Sequence, residues 1–164
     1  MIACIDTMVL VWWIREECSA GQQEMVKRAQ WLMESFDEEQ TSVIISTITE
    51  AEFLRGSSEQ ERRAQSRILH ETFLVKPFDS IAANLIGTHF PRNWRPDDYQ
   101  GRRTAMKADM LIVATAVAAG ADVLYSHDAN CRKLAESAGL QARDLPTMPN
   151  HLFDYDSEPD DEAE

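Results

Sequence analysis

Four acids in this chain stand where carboxylates can do chemistry together: Asp6, Glu52, Asp109 and Asp128. Asp6 ends an apolar run over residues 2–5, and Asp128 follows another that ends at Tyr125 and Ser126. Glu52 lies in the first turns of a helical segment after a further apolar run. Asp109 lies early in the helical segment that leads to Tyr125. Carboxylates brought together repel and raise one another's pKa unless a cation compensates. Hard oxygen donors with room for water suit Mg2+ or Mn2+. Such ions catalyse phosphodiester hydrolysis by activating water and neutralising charge on the transferring phosphate. Each acid taken singly has a plainer use, Asp6 and Asp128 as helix caps and Asp109 as an acid favoured by its helix dipole. Glu52 sits too deep in its segment to cap it. The apolar neighbours of Asp109, Ala108 and residues 110–113, point to a partly buried carboxylate that needs a partner.

The four acids matter only if the fold carries them to one edge. Residues 2–5, 43–46, 73–78, 121–126 and 140–143 read as short strands. Residues 8–17, 22–39, 47–54, 59–72, 79–87, 103–119 and 128–138 read as helices. Thr47 with Glu50 three residues on has the pattern of a capping box, and Gly56 supplies the stop of that helix. In the segment 103–119, Ala108, Leu111, Ile112, Thr115 and Ala119 share one face. Strands alternating with helices predict an α/β fold, a three-layer α/β/α sandwich with a parallel sheet of four to five strands and right-handed crossovers. In such sheets ligands bind beyond the carboxyl ends of the strands, where strand order reverses. Asp6 and Asp128 both lie at that edge. Met8, Val9, Val11, Trp12, Trp13 and Ile14 make an apolar surface wider than one helix stripe, which predicts core, with part of it free for a homodimer or a partner helix.

The 164 residues, 44% of them hydrophobic, suffice for one domain, expected over residues 1–153, with an insertion at about 89–103. The net charge of -12 is concentrated at the end. Residues 154–164 hold seven acids and no base, while residues 1–153 hold 21 acids against 16 bases. The acidic tail has nothing to bury and reads as disordered. This balance excludes a globally basic nucleic-acid-binding surface and a polybasic membrane anchor. No apolar stretch approaches the roughly 20 residues that span a bilayer, and the start has Asp6 within its apolar run and no basic leader. Cys4, Cys18 and Cys131 match neither a disulfide framework nor a zinc spacing, which predicts a cytoplasmic protein with Cys4 as a small core residue. The four histidines show no metal spacing and none is assigned to catalysis. Arg92, Trp94, Arg95, Arg102, Arg103 and Lys107 interleave bases with an aromatic in and beside the insertion, a pattern that can hold RNA phosphates and stack on unpaired bases. The plainer reading is a solvated loop with Trp94 against the core.

Taken together, Ile5-Asp6-Thr7, the segment from Thr49 through Glu52 to Gly56, Ala108-Asp109 with the apolar residues that follow, and Ser126-His127-Asp128 resemble a PIN-domain ribonuclease. The resemblance spans residues 1–143 and is closest to the toxin nucleases of bacterial type II toxin–antitoxin pairs. It implies that Asp6, Glu52, Asp109 and Asp128 are the metal-binding and catalytic acids, with Thr7, Ser126 and Asn130 in support. It also implies Mg2+ or Mn2+ as cofactor, water as nucleophile and RNA as substrate, and as partners a protein antitoxin and a second copy in a homodimer. Glu52 fits the family pattern because Phe53, Leu54, Arg55 and Gly56 follow it, whereas Glu50 does not. The chain departs from the family in the 89–103 insertion, the tandem Trp12-Trp13 and the acidic tail. An aspartyl phosphatase would want an acid at position 8, which is Met, and a receiver domain would want a paired acid near the start and a late lysine. The remaining alternative is a catalytically weak PIN-like module that binds RNA or protein.

Overall fold

A computed structural model describes residues 1–90 and 103–147. The elements run β1 (Ile2–Ile5), α1 (Thr7–Leu10) continued by a π-helical turn (Val11–Arg15), α2 (Gln23–Glu38), β2 (Ser42–Ser46), α3 (Thr47–Arg55), α4 (Glu59–Thr72) and β3 (Leu74–Lys76). They continue with α5 (Ser80–His89), α6 (Arg103–Ala118), β4 (Val123–Tyr125), α7 (Ala129–Ser137) and β5 (Gln141–Arg143). The five strands form one wholly parallel sheet in the order β3-β2-β1-β4-β5. The expected three-layer α/β/α architecture is therefore observed.

The central strand β1 is buried on both faces, which is why it contains no polar residue. Successive side chains alternate across it. Ala3 and Ile5 join Trp12, Leu32, Phe36 and Phe53 in the core on one face, while Cys4 joins Ile112, Val113, Cys131 and Leu134 on the other. Burial pushes the Cys4 thiol up to about 12, aided by the charge of Asp6, so it is an inert core residue. β1 pairs with β2 on one side and β4 on the other, through Ala3↔Val43 and Ala3↔Val123. The chain builds outward from β1 through β2 to β3, then crosses to β4 and β5. The order reverses between β1 and β4, the kind of switch point beyond which ligands bind in open α/β sheets.

Several local expectations are corrected by longer-range contacts. α3 is capped by Ser46, the last residue of β2, whose hydroxyl accepts from the Thr49 N–H at 3.0 Å. Thr47 is already helical, and Glu50 bonds His70 Nε2 at 2.8 Å instead of closing a capping box. A capping box does open α4, between Ser58 and Glu61. α6 has no single apolar stripe, because residues 112–116 are buried in succession between the sheet, α5 and α7. The apolar segment after β1 is mainly core: Trp12 is buried, Trp13 packs edge-on against Phe73 at 5.6 Å, and Met8 is exposed.

Gly56 has an ordinary right-handed φ of -78°, so a reversed turn does not explain it. Arg15 does. Its guanidinium lies over the Phe53 ring, 4.5 Å from the centroid, and donates to the Phe53 carbonyl at 2.5 Å and to the Ser57 hydroxyl at 2.6 Å. A Cβ at Gly56 would stand 2.6 Å from Arg15 Nη1. Gly56→Ala is therefore expected to destabilise the protein by about 1–3 kcal/mol through overpacking. Urea unfolding of the two proteins checks this, and an unchanged midpoint would refute it.

Candidate active site

The sheet edge beyond β1 and β4 carries residues that cap helices and hold one another. Asp6 follows β1 and donates its backbone N–H to the Tyr125 carbonyl at 3.2 Å, which fixes it against β4. Its Oδ1 caps α1 by accepting from the Met8 and Val9 N–H groups at 3.1 and 3.2 Å. Its Oδ2 accepts from the Ser126 hydroxyl. The residue is only 7% exposed. Burial pushes the Asp6 carboxyl up to about 6, against the opposing pull of the Ser126, Val9 and Met8 hydrogen bonds, and the charge of Asp128 raises it further. The capping and clustering roles of Asp6 are thus filled by the same side chain.

Ser126 is fully buried, and its Oγ also accepts from the Asp128 N–H at 3.1 Å. Arg132 Nη1 donates to the Ser126 carbonyl at 2.7 Å. Asp128 caps α7 by accepting from the Asn130 N–H at 2.7 Å. From the other side, the Thr7 hydroxyl donates to Glu52 Oε2 at 2.7 Å, which draws the second turn of α3 to the same edge. Asp109 enters from α6. The Cys131 thiol is raised well above the ordinary range first by burial, then by the charges of Asp109, Asp6 and Asp128.

Asp6, Ser126 and Asp128 are thus joined by hydrogen bonds, and Thr7, next to Asp6 in the chain, bonds Glu52, while Asp109 stands on α6. Each carboxylate of Asp6, Glu52 and Asp128 is engaged by a protein donor, and no base forms an ion pair with any of these three among the described residues. Also among the described residues, no three His, Cys, Asp or Glu side chains stand close enough to hold a metal ion directly. The charge and hard-oxygen donor set nonetheless suit Mg2+, which binds through one or two carboxylates and keeps several waters. Burial of the Asp6 charge, together with the charge of Asp128, is what such an ion would offset.

Of the predicted RNA contacts, Arg92, Trp94, Arg95 and Arg102 lie outside the described residues, as does the acidic tail. Arg103 opens α6, and Lys107 is exposed one turn before the buried stretch of that helix. One residue beside the acids was not assigned any role from sequence. His127, between Ser126 and Asp128, bonds Asp144 Oδ1 through Nδ1 at 3.0 Å and meets Trp12 edge to face at 5.7 Å. Asp144 is not near His127 in sequence. Only the parallel register Tyr125↔Arg143 brings the loops after β4 and β5 together.

The family model described as the PIN domain matches residues 3–137. Among solved structures the chain is similar to one in the crystal structure of VapBC2 from Rickettsia felis bound to a DNA fragment from their promoter. The TM-score is 0.57 at 17% sequence identity, covering 89% of this chain and 100% of that one. No curated protein matches the chain.

Proposed function

The chain belongs to the PIN domain family, and from that premise we propose that it is a divalent-metal-dependent endoribonuclease, the toxin of a toxin–antitoxin pair. The observation that carries this reading is the hydrogen-bonded chain Asp6–Ser126–Asp128, with Thr7–Glu52 beside it, where strand order reverses between β1 and β4; Asp109 on α6 would complete the set. The fold likeness to a chain of VapBC2 supports the toxin reading. Its partners on this reading are RNA, a protein antitoxin and a second copy of the chain, and its setting is the cytoplasm. No helix among the described residues is long and apolar enough to cross a membrane.

The four acids would hold Mg2+ or Mn2+. When bound, the ion supplies an activated water and neutralises charge on the phosphate. The protein's own part is positioning. Ser126 and the first turn of α1 clamp both oxygens of Asp6, so its carboxylate cannot swing away. Thr7 holds Glu52 by one oxygen and leaves the other for the ion. The Asn130 N–H does the same for Asp128.

The test is incubation of the full chain with mRNA and tRNA pools, with Mg2+, Mn2+ or EDTA, and mapping of the cut ends. Cleavage should require the metal and return when it is restored. Glu52→Gln should be inactive while Glu50→Gln, which loses only a partly exposed contact to His70, should cut normally. Full activity in excess EDTA would sink the metal reading. RNA bound but never cut with metal present would favour the binding module over the nuclease.

A further inference from the structure

The loop leaving β4 presents an imidazole whose chemistry is fixed on one side and open on the other. Asp144 Oδ1 accepts from the Leu145 N–H at 2.7 Å and lies 3.7 Å from Arg28 Nη2 and 3.9 Å from Arg132 Nη1, a setting that keeps its carboxylate ionised. An ionised carboxylate only accepts, so Nδ1 of His127 must carry the hydrogen, and in the neutral ring Nε2 is then an acceptor. Trp12, buried beneath, holds the ring perpendicular to its own at an interplanar angle of 71°. The side chain is 41% exposed, and Nε2 has no hydrogen-bond partner among the described residues. A rigid acceptor thus sits one residue from both Ser126 and Asp128, on the rim of the acid cluster.

An acceptor there cannot serve a phosphodiester, whose oxygens only accept. A nucleic-acid strand offers it two kinds of donor, base N–H groups and the ribose 2′-hydroxyl, and the second is common to every ribonucleotide and absent from DNA. We propose that His127 is a specificity residue that accepts a hydrogen bond from a ribose 2′-hydroxyl at Nε2, so that the site favours RNA over DNA. This rests on the nuclease reading above and adds how its substrate class would be recognised. Asp144 sets the tautomer and Trp12 sets the angle, and neither touches the nucleic acid.

The experiment measures kcat/KM of the full chain on a cleaved RNA oligonucleotide and on copies carrying a single 2′-deoxy or 2′-O-methyl nucleotide at each position around the cut. In the wild-type protein one position should show a loss of about 3- to 10-fold, the range of one neutral hydrogen bond, with both modifications. His127→Phe keeps a ring against Trp12 and removes the acceptor. It should slow the all-ribose oligonucleotide by the same factor and show no further loss with the modified one. Independent losses that multiply, or a loss at that position only with base changes, would overturn the proposal. So would the absence of any sensitive position in the wild-type protein, a result that needs no variant to fold and leaves the nuclease reading standing. If the wild-type protein cuts no RNA with any metal, the nuclease reading falls and takes this proposal with it.

Discussion

Asp6→Asn should abolish RNA cleavage and, in the same molecule, raise stability at neutral pH. Replacing a residue that merely supports a metal ligand typically costs about 10–100-fold in metal affinity or activity. Loss of a central carboxylate should exceed that. The stability gain follows from the raised pKa. A carboxyl titrating at about 6 when folded and near its ordinary 3.8 when unfolded binds its proton more tightly in the native state. The native state is then favoured below pH 4, and that advantage is lost as pH rises through 6, with a cost on the order of 2–3 kcal/mol at pH 7. Asparagine caps a helix as well as aspartate does; its Oδ1 can accept from Met8 and Val9, and its Nδ2 can donate to the Ser126 Oγ, without a charge. Urea unfolding in EDTA should therefore show the wild-type protein losing stability between about pH 4 and 6 while the variant stays flat. Added Mg2+ should stabilise only the wild type. A variant less stable than wild type at pH 7 would show that ionised Asp6 is already well solvated by its hydrogen bonds.

The second large effect is structural. Trp12 is among the largest fully buried side chains, sits in the core with Leu32 and Phe53, and supports His127. Trp12→Ala should cost about 3–5 kcal/mol, a large share of the 5–15 kcal/mol typical of a domain. Its Nε1 is buried without a hydrogen-bond partner among the described residues. Trp12→Phe, which removes that unsatisfied donor together with some volume, should cost much less than the alanine variant. Denaturant midpoints of the three proteins give the comparison. Equal losses for Ala and Phe would mean that the indole N–H is satisfied in solution.

The sequence was most legible where one element determines its own form. Residues 2–5 read as a buried strand, and Asp6 and Asp128 follow their strands directly, so their place at the carboxyl edge of a parallel sheet was legible from spacing. Contacts between distant segments were not legible. Ser46 reads as the last residue of a strand, and its capping role appears only when Thr49 folds back on it. Gly56 looks like an ordinary helix stop until Arg15, from the far side of α2, is seen to occupy the space a side chain would need. The π-helical turn over Val11–Arg15 has no sequence signature. The pairing of His127 with Asp144 depends on a three-residue strand register that no local pattern records.

The central place of β1 also fixes when the site can exist during synthesis. β1 can pair with β2 once some 46 residues have emerged, but its other edge must wait for β4, and Asp6 for Ser126, which lies 120 residues away. At about 5–20 residues per second this delay is several seconds to more than ten. Throughout that interval one edge of the innermost strand is bare and the carboxylates of the first and last motifs have not met. Contacts of such long sequence separation are slow to form even in the finished chain. A nascent chain still on the ribosome, surrounded by RNA, therefore carries an incomplete site until nearly all of its fold has been made.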